Sequence, residues 1–233
     1  MSEMPELISD ATPCIGHQID EGVAGVIFDL NGVLVEDEPL HEATFAAALA
    51  PHGVRLTHEL YQATILGQTD ALGVARLAAA CQLALPTQSI VHAKERLYRE
   101  RLRAEGSRYV AGGAVPLIEA LARRGLHLAL ASASPAIEVF AWLTVLGFDW
   151  ATGVFDPIVT SESPPAPKPD PAVYEAIVAT WDIPPQACVV IDDHPENIAI
   201  AYTLGMRAIA IASTLPPSAF PHTHLIAHSL ADL

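Results

Sequence analysis

The chain has 233 residues, a hydrophobic content of 51% and a positive mean hydropathy, enough to bury a full core and to suit one domain with a sizeable insertion or two small ones. A formal net charge of −15 excludes nucleic acid and anionic membranes as partners, because holding phosphate backbones needs clustered Lys and Arg; a small phosphorylated substrate, held by local cations and a metal, stays compatible. No apolar run reaches the ~18 residues of a bilayer span; residues 198–213 come nearest, and Arg207 interrupts them.

At the start of the chain, Glu3, Glu6 and Asp10 stand where a secretory leader carries positive charge, so this segment reads as a short polar lead-in. Cys14, Cys81 and Cys188 form neither a disulfide framework nor a metal-ligand spacing, which fits a reducing cytoplasm. Gly25-Val26-Ile27-Phe28 then runs into Asp29-Leu30-Asn31-Gly32. The apolar run predicts a buried parallel strand, and the Asp and Asn-Gly after it predict a turn at its carboxyl end. Such residues form turns on their own account. A carboxylate at that place also sits where open α/β sheets bind their ligands.

Glu36-Asp37-Glu38-Pro39-Leu40-His41 opens a helix with acidic residues where the helix dipole favours them. From there to about residue 109, apolar residues recur at intervals of three and four, predicting helices over 42–50, 57–66, 71–81 and 87–105. A helical block between strands reads as an inserted cap over residues 37–109, within a core made of residues 1–36 and 110–233. Lys94, one of two lysines in the chain, is followed by Glu95, and an ordinary surface pairing with a helical Glu accounts for it on local grounds. His41 reads locally as a helix residue.

Gly112-Gly113 marks the return to the core. Residues 115–124 predict an amphipathic helix with Pro116 in its first turn and Gly125 at its end, and 126–131 a strand that stops at Ser132-Ala133-Ser134. Taken alone, Ser132 reads as a helix N-cap. A helix over 137–146 and a short strand over 154–159 follow. Residues 161–171 contain five prolines, which preclude regular structure and hold Lys168 in an extended loop ahead of the next helix. The last strong signal is a strand over 187–191 that ends in Asp192-Asp193-His194. Adjacent carboxylates repel unless a cation joins them, so the pair points to a metal. Oxygen ligands alone, and few of them, point to a hard cation such as Mg²⁺. A helix to residue 204, a strand over 207–211 and a short tail complete an α/β chain with a Rossmann-like parallel sheet.

Four of these stretches, in this order, resemble the motifs of the haloacid dehalogenase superfamily: Phe28-Asp29-Leu30-Asn31-Gly32-Val33-Leu34, the strand-end Ser132, Lys168-Pro169-Asp170-Pro171-Ala172-Val173-Tyr174, and Asp192-Asp193. The resemblance covers nearly the whole chain and is nearest to the β-phosphoglucomutase-like, sugar-phosphate phosphatase branch. It implies a Rossmann-like core with a helical cap that excludes water and selects substrate. It further implies that Asp29 attacks phosphorus to form an aspartyl-phosphate, with Mg²⁺ held by Asp29, the Asn31 carbonyl and Asp193, and with Asp192 behind them or bridged by water. Ser132 and the backbone N–H groups after it, that of Ala133 included, are implied to bind the phosphoryl oxygens, Lys168 to offset charge, and His41, Lys94 and the turn at residues 67–70 to meet the substrate from the cap.

One position departs from that pattern. The family carries a second Asp where this chain has Asn31, and that Asp protonates the leaving group and then activates water. An amide does neither, and a general acid–base group contributes ~10²–10⁴ in rate. Glu38, His41 and His194 are the candidates to replace it. Two functions therefore follow: a Mg²⁺-dependent phosphatase of a small phosphomonoester, with a phosphomutase as its variant, or a catalytically silent relative that binds a phosphorylated ligand or partner. Without a Gly-x-Gly-x-x-Gly after a strand, a Walker lysine or a Gly-x-Ser-x-Gly elbow, dinucleotide, P-loop and serine-hydrolase chemistry are set aside.

Overall fold

The computed structural model describes residues 6–7, 19, 22–213 and 215–233; Cys14 and most of the lead-in, Glu3 and Asp10 included, lie outside the described residues. Two compact units make up the chain, Met1–Glu36 with Ser107–Leu233, and Asp37–Gly106.

The first unit is built on a seven-stranded sheet: β1 (Glu6–Leu7), β2 (Gly25–Phe28), β3 (His127–Ala131), β4 (Ile158–Val159), β5 (Cys188–Asp192), β6 (Arg207–Ile211) and β7 (Leu225–Ala227). The strands lie in the order β1-β7-β6-β5-β2-β3-β4, and every pairing is parallel. Parallel neighbours need crossovers, and helices in those crossovers cover the faces, which is why β2 and β5 are apolar and buried along their length rather than alternating. On one face Ile27, Ala129, Val190 and Ala208 pack in a single core with Val173, Tyr174, Ile177 and Trp181, from a helix over Ala172–Trp181, and with Ile198 and Ala201, from a helix over Pro195–Thr203.

The strands the sequence leaves unread are the edge ones. β1 falls inside the expected polar lead-in, and β7 inside the expected tail. Two or three residues carry too little alternation to register as strands, and their pairing with each other arises only once the sheet exists. β4 shrinks from the six residues expected to two, and the residue before it is Pro157, which has no N–H for a ladder.

The second unit contains α1 (Glu38–Leu49), α2 (His58–Thr64), α3 (Asp70–Cys81) and α4 (Thr87–Glu105). α1 starts four residues earlier than the periodicity suggests, with Pro39 in its first turn where a missing N–H costs nothing. Phe45, Leu49, Tyr61, Val74, Leu77 and Ile90 form its core. Continuing in chain order, α5 (Ala114–Arg123), α6 (Ala136–Leu146), α7 (Ala172–Trp181) and α8 (Pro195–Thr203) belong to the first unit. Among the described residues no helix is long and apolar enough to cross a membrane.

Candidate active site

β2 sits between β3 and β5, and the register sets Phe28 opposite both Leu130 and Ile191. One residue further, Asp29, Ala131 and Asp192 therefore lie level at the carboxyl ends of three adjacent strands, at the point where the connections run off to opposite sides and leave a crevice. Lys168 reaches this row from the proline-rich loop before α7. Its Nζ donates to Asp29 Oδ1 at 2.7 Å, to Asp192 Oδ2 at 2.6 Å and to the Ala131 carbonyl at 2.9 Å, so each of its three protons is bound to a different strand end.

The two acids of the doublet are differently employed. Asp192 is buried and fully engaged: Oδ2 takes Lys168, and Oδ1 accepts the His194 backbone N–H at 2.8 Å and Asn197 Nδ2 at 3.0 Å. Asp193 has no such side-chain donor among the described residues. It lies against Gly32, whose φ of +78° suits glycine and where a Cβ would fall on the Asp193 carboxylate. The Asn31-Gly32 turn thus leaves room for an acid arriving from the neighbouring strand.

Electrostatics follow from this geometry. Carboxylate oxygens of Asp29, Asp192 and Asp193 all lie within 4.8 Å of one another, with one lysine to balance them. Burial pushes the Asp29 carboxyl up to about 7; Lys168 pulls it down and Asp192 pushes it up. Burial, with Asp29 and Asp192 adding to it, pushes Asp193 to about 8. Burial alone would lower the Lys168 ammonium, but Asp192 and Asp29 outweigh it and hold it well above the ordinary lysine value. The site has a surplus of negative charge. Oxygens around one small cation at ~2.1 Å from each are separated by distances of this order, and a hard divalent ion with oxygen ligands supplies the missing charge, so the residues present fit Mg²⁺.

On the other flank, Ser132 is buried, and its Oγ accepts the Ser134 backbone N–H at 3.0 Å. It closes the loop after β3 and is not the N-cap of α6, a place taken by Pro135. The loop's N–H groups, that of Ala133 among them, follow directly from the strand end. Ser134 Oγ donates to Asn31 Oδ1 at 2.9 Å.

His41 and Lys94 lie in the second unit. Lys94 is not the surface lysine that local sequence suggests: its side chain is 1% exposed, and Nζ donates to Asp70 Oδ2 at 2.9 Å while lying 5.1 Å from the ring centres of Phe45 and Tyr98. Its aliphatic stem packs with apolar neighbours while Asp70 and the two rings receive the charge. His41 stacks on Tyr98 at 4.4 Å, its Nε2 lies 3.1 Å from Asp37 Oδ2, and Tyr98 also donates to Asp37. Glu38 accepts the Tyr61 hydroxyl, and His194 is exposed.

Three participants escaped the sequence reading. The Ala131 carbonyl has no side-chain signature. Ser134 was legible only as a neighbour of Ser132. Asn197 did carry a signal, an amide one turn after the acidic doublet on the inward side of α8, where it is 7% exposed.

The profile of the haloacid dehalogenase-like hydrolases matches residues 23–203. A phosphorylated carbohydrates phosphatase of Thermotoga maritima is 26% identical over 185 residues, 79% of this chain and 82% of that protein. A mutant of CbbY from Rhodobacter sphaeroides, crystallised with xylulose-(1,5)-bisphosphate, superposes with a TM-score of 0.74 at 27% identity, covering 91% of this chain and 96% of the other. The chloroplastic SUPPRESSOR OF QUENCHING 1 protein of Arabidopsis thaliana is 28% identical over 196 residues; the match takes in 83% of this chain but spans only 18% of that protein's length. With the sheet order, the row of strand-end groups and a profile match over most of its length, the chain belongs to the haloacid dehalogenase-like hydrolases.

Proposed function

We propose that this chain is a Mg²⁺-dependent phosphatase acting on a small phosphomonoester of the sugar-phosphate kind through an aspartyl-phosphate on Asp29. Its relatives include a phosphatase of phosphorylated carbohydrates and a protein crystallised with a sugar bisphosphate. The observation that carries the reading is the Lys168 bridge: a buried ammonium holds Asp29 Oδ1 and fixes the carboxylate at the crevice, next to an acid cluster it does not neutralise.

In this mechanism Asp29, the backbone carbonyl of Asn31 and Asp193 would hold Mg²⁺, and Asp192 keeps Lys168 in place. Bound there, the ion would offset phosphoryl charge and help align the group for in-line attack. Asp29 attacks phosphorus, and its fixed position supplies the orientation that makes the attack effectively unimolecular. Lys168, held on Asp29, offsets the negative charge of the phosphoryl group through its field, and the Ala133 N–H after Ser132 is the donor offered to the equatorial oxygens. The helical second unit, with residues 37–109 as its extent, is assigned the cap's role of selecting substrate, and His41 is its candidate substrate contact. Water then cleaves the aspartyl-phosphate.

A panel of phosphomonoesters assayed with Mg²⁺ tests this. Turnover by the native chain that disappears in Asp29→Ala supports the enzyme. Turnover only after Asn31→Asp replaces it with the second reading, a silent relative that binds a phosphorylated ligand, which Asn31 favours because an amide carries no transferable proton.

A further inference from the structure

Position 31 bears on which substrates the site accepts. Asn31 follows the nucleophile by two residues, and Ser134 Oγ donates to its Oδ1 at 2.9 Å. The rest of the side chain is an amide NH₂ group. That group donates hydrogen bonds and keeps its protons. The other protic groups at the strand ends are committed. Lys168 spends its three protons on Asp29, Asp192 and Ala131, and Asp192 accepts from three donors. His194, two residues beyond, directs its backbone N–H to Asp192 and its residue is exposed. With Asp193 given to the metal, no carboxylic acid or imidazole among the described residues of the first unit is left beside the nucleophile to hand a proton to a departing oxygen; the hydroxyl groups that remain are weak acids, Ser132 as an alcohol and Tyr174 as a phenol whose pKa burial raises further.

We infer that the substrates this chain turns over are phosphates whose leaving oxygen is itself acidic, such as acyl, enol or aryl phosphates or a sugar phosphorylated on its anomeric hydroxyl, rather than phosphates of ordinary alcohols. The inference rests on the proposed function, sharing its nucleophile and site, and narrows its substrate class. In the first step an Asp29 oxygen forms a bond to phosphorus as the bond from phosphorus to the leaving oxygen breaks. The electron pair stays on that oxygen, which departs as an anion without a proton from position 31. In the second step a water oxygen bonds to phosphorus, the Asp29–phosphorus bond breaks with its electron pair returning to the carboxylate, and the water's proton passes to phosphate or solvent.

A carboxylic acid leaving group, with a pKa of about 4, or a phenol, at about 10, carries its own negative charge; an alcohol near water's value of about 16 does not. Losing general acid assistance therefore falls hardest on alkyl esters, by up to ~10²–10⁴. The second step also lacks a base at position 31, so with a reactive donor the aspartyl-phosphate accumulates.

The test compares acetyl phosphate, phenyl phosphate and glycerol 3-phosphate on the full chain with Mg²⁺, following both phosphate release and the intact mass of the protein. The expected result is turnover of acetyl and phenyl phosphate at least ~100-fold faster than glycerol 3-phosphate, on the scale of general acid assistance. One added phosphoryl group should appear from acetyl phosphate, absent in Asp29→Ala, and Asn31→Asp should narrow the preference while removing the accumulated species. Equal rates on all three donors, with Asp29 still phosphorylated, overturn the inference and leave the phosphatase standing, because a proton donor other than residue 31 must then serve. Absence of phosphate release and of phosphorylated protein from every donor overturns the phosphatase, and the inference with it.

Discussion

Replacing Lys168 by Met removes the one cation that the described residues place at the row of strand ends while keeping an unbranched side chain of similar reach. In the native chain that side chain is 2% exposed, and its partners are 1% exposed for Asp192 and 12% for Asp29. Breaking a buried pair on one side leaves the other charge uncompensated, at a cost of about 3–5 kcal/mol. That is a large share of the ~5–15 kcal/mol that holds a domain together. The loss should also depend on pH in a definite sense. Asp29, pushed up to about 7, and Asp193, pushed up to about 8, hold protons more tightly folded than unfolded. The contribution of these two carboxyls to the stability of the metal-free protein is thus greatest below about pH 4 and falls as pH climbs toward 8. Each such carboxyl takes away ~1.4 kcal/mol per pH unit while it keeps its proton in the folded chain and has lost it in the unfolded one. Lys168 pulls both carboxyls down, so its removal raises them further and the gap between variant and native chain opens as pH rises. The gap opens where the native carboxyls lose their protons and the variant's do not, so urea unfolding in the presence of a chelator, at intervals from about pH 6 to 9, spans that window and measures it. A gap that stays constant across the range, or below about 1 kcal/mol at its upper end, would refute the assignment of Lys168 as the site's charge anchor and reduce it to a packing element.

Asp193→Asn should weaken Mg²⁺ binding by at least about tenfold in calorimetry, about 1.4 kcal/mol, and should leave the metal-free protein more stable near pH 8, since it removes a buried repulsion. Unchanged affinity removes Asp193 from the metal site. Gly32→Ala places a methyl on the Asp193 carboxylate at a φ of +78°; we expect a loss of about 1–3 kcal/mol in unfolding free energy together with weaker Mg²⁺ binding, and a loss of stability with intact affinity would separate the backbone effect from the site. Lys94→Met should cost less than Lys168→Met, about 1–3 kcal/mol, because its partner Asp70 is 31% exposed and regains water when the ammonium is gone. A cost equal to that of Lys168→Met would contradict this.

Much of this molecule is written locally. An apolar run that breaks on Asp29, another that breaks on Asp192-Asp193, and a proline-rich loop around Lys168 each announce a strand tip or a rigid connector, because burial on both faces and missing N–H groups leave marks within a few residues. The four long helical stretches of the second unit were legible for the same reason, since their period is an i, i+4 property. The edge strands β1 and β7 were not, being too short to carry a period.

The tertiary structure decided how these pieces combine. Lys168 binds Asp29 across 139 positions of sequence, and only the order of β5, β2 and β3 in the sheet makes Asp192, Asp29 and Ala131 neighbours in one row. The same packing divided the acidic doublet, giving Asp192 to the lysine and Asn197 and turning Asp193 toward Gly32, and it buried Lys94 on Asp70, 24 positions away. Residue types and their period fix which groups stand at strand ends. Which of those charges meet depends on strand order and burial, properties that no stretch of chain possesses by itself.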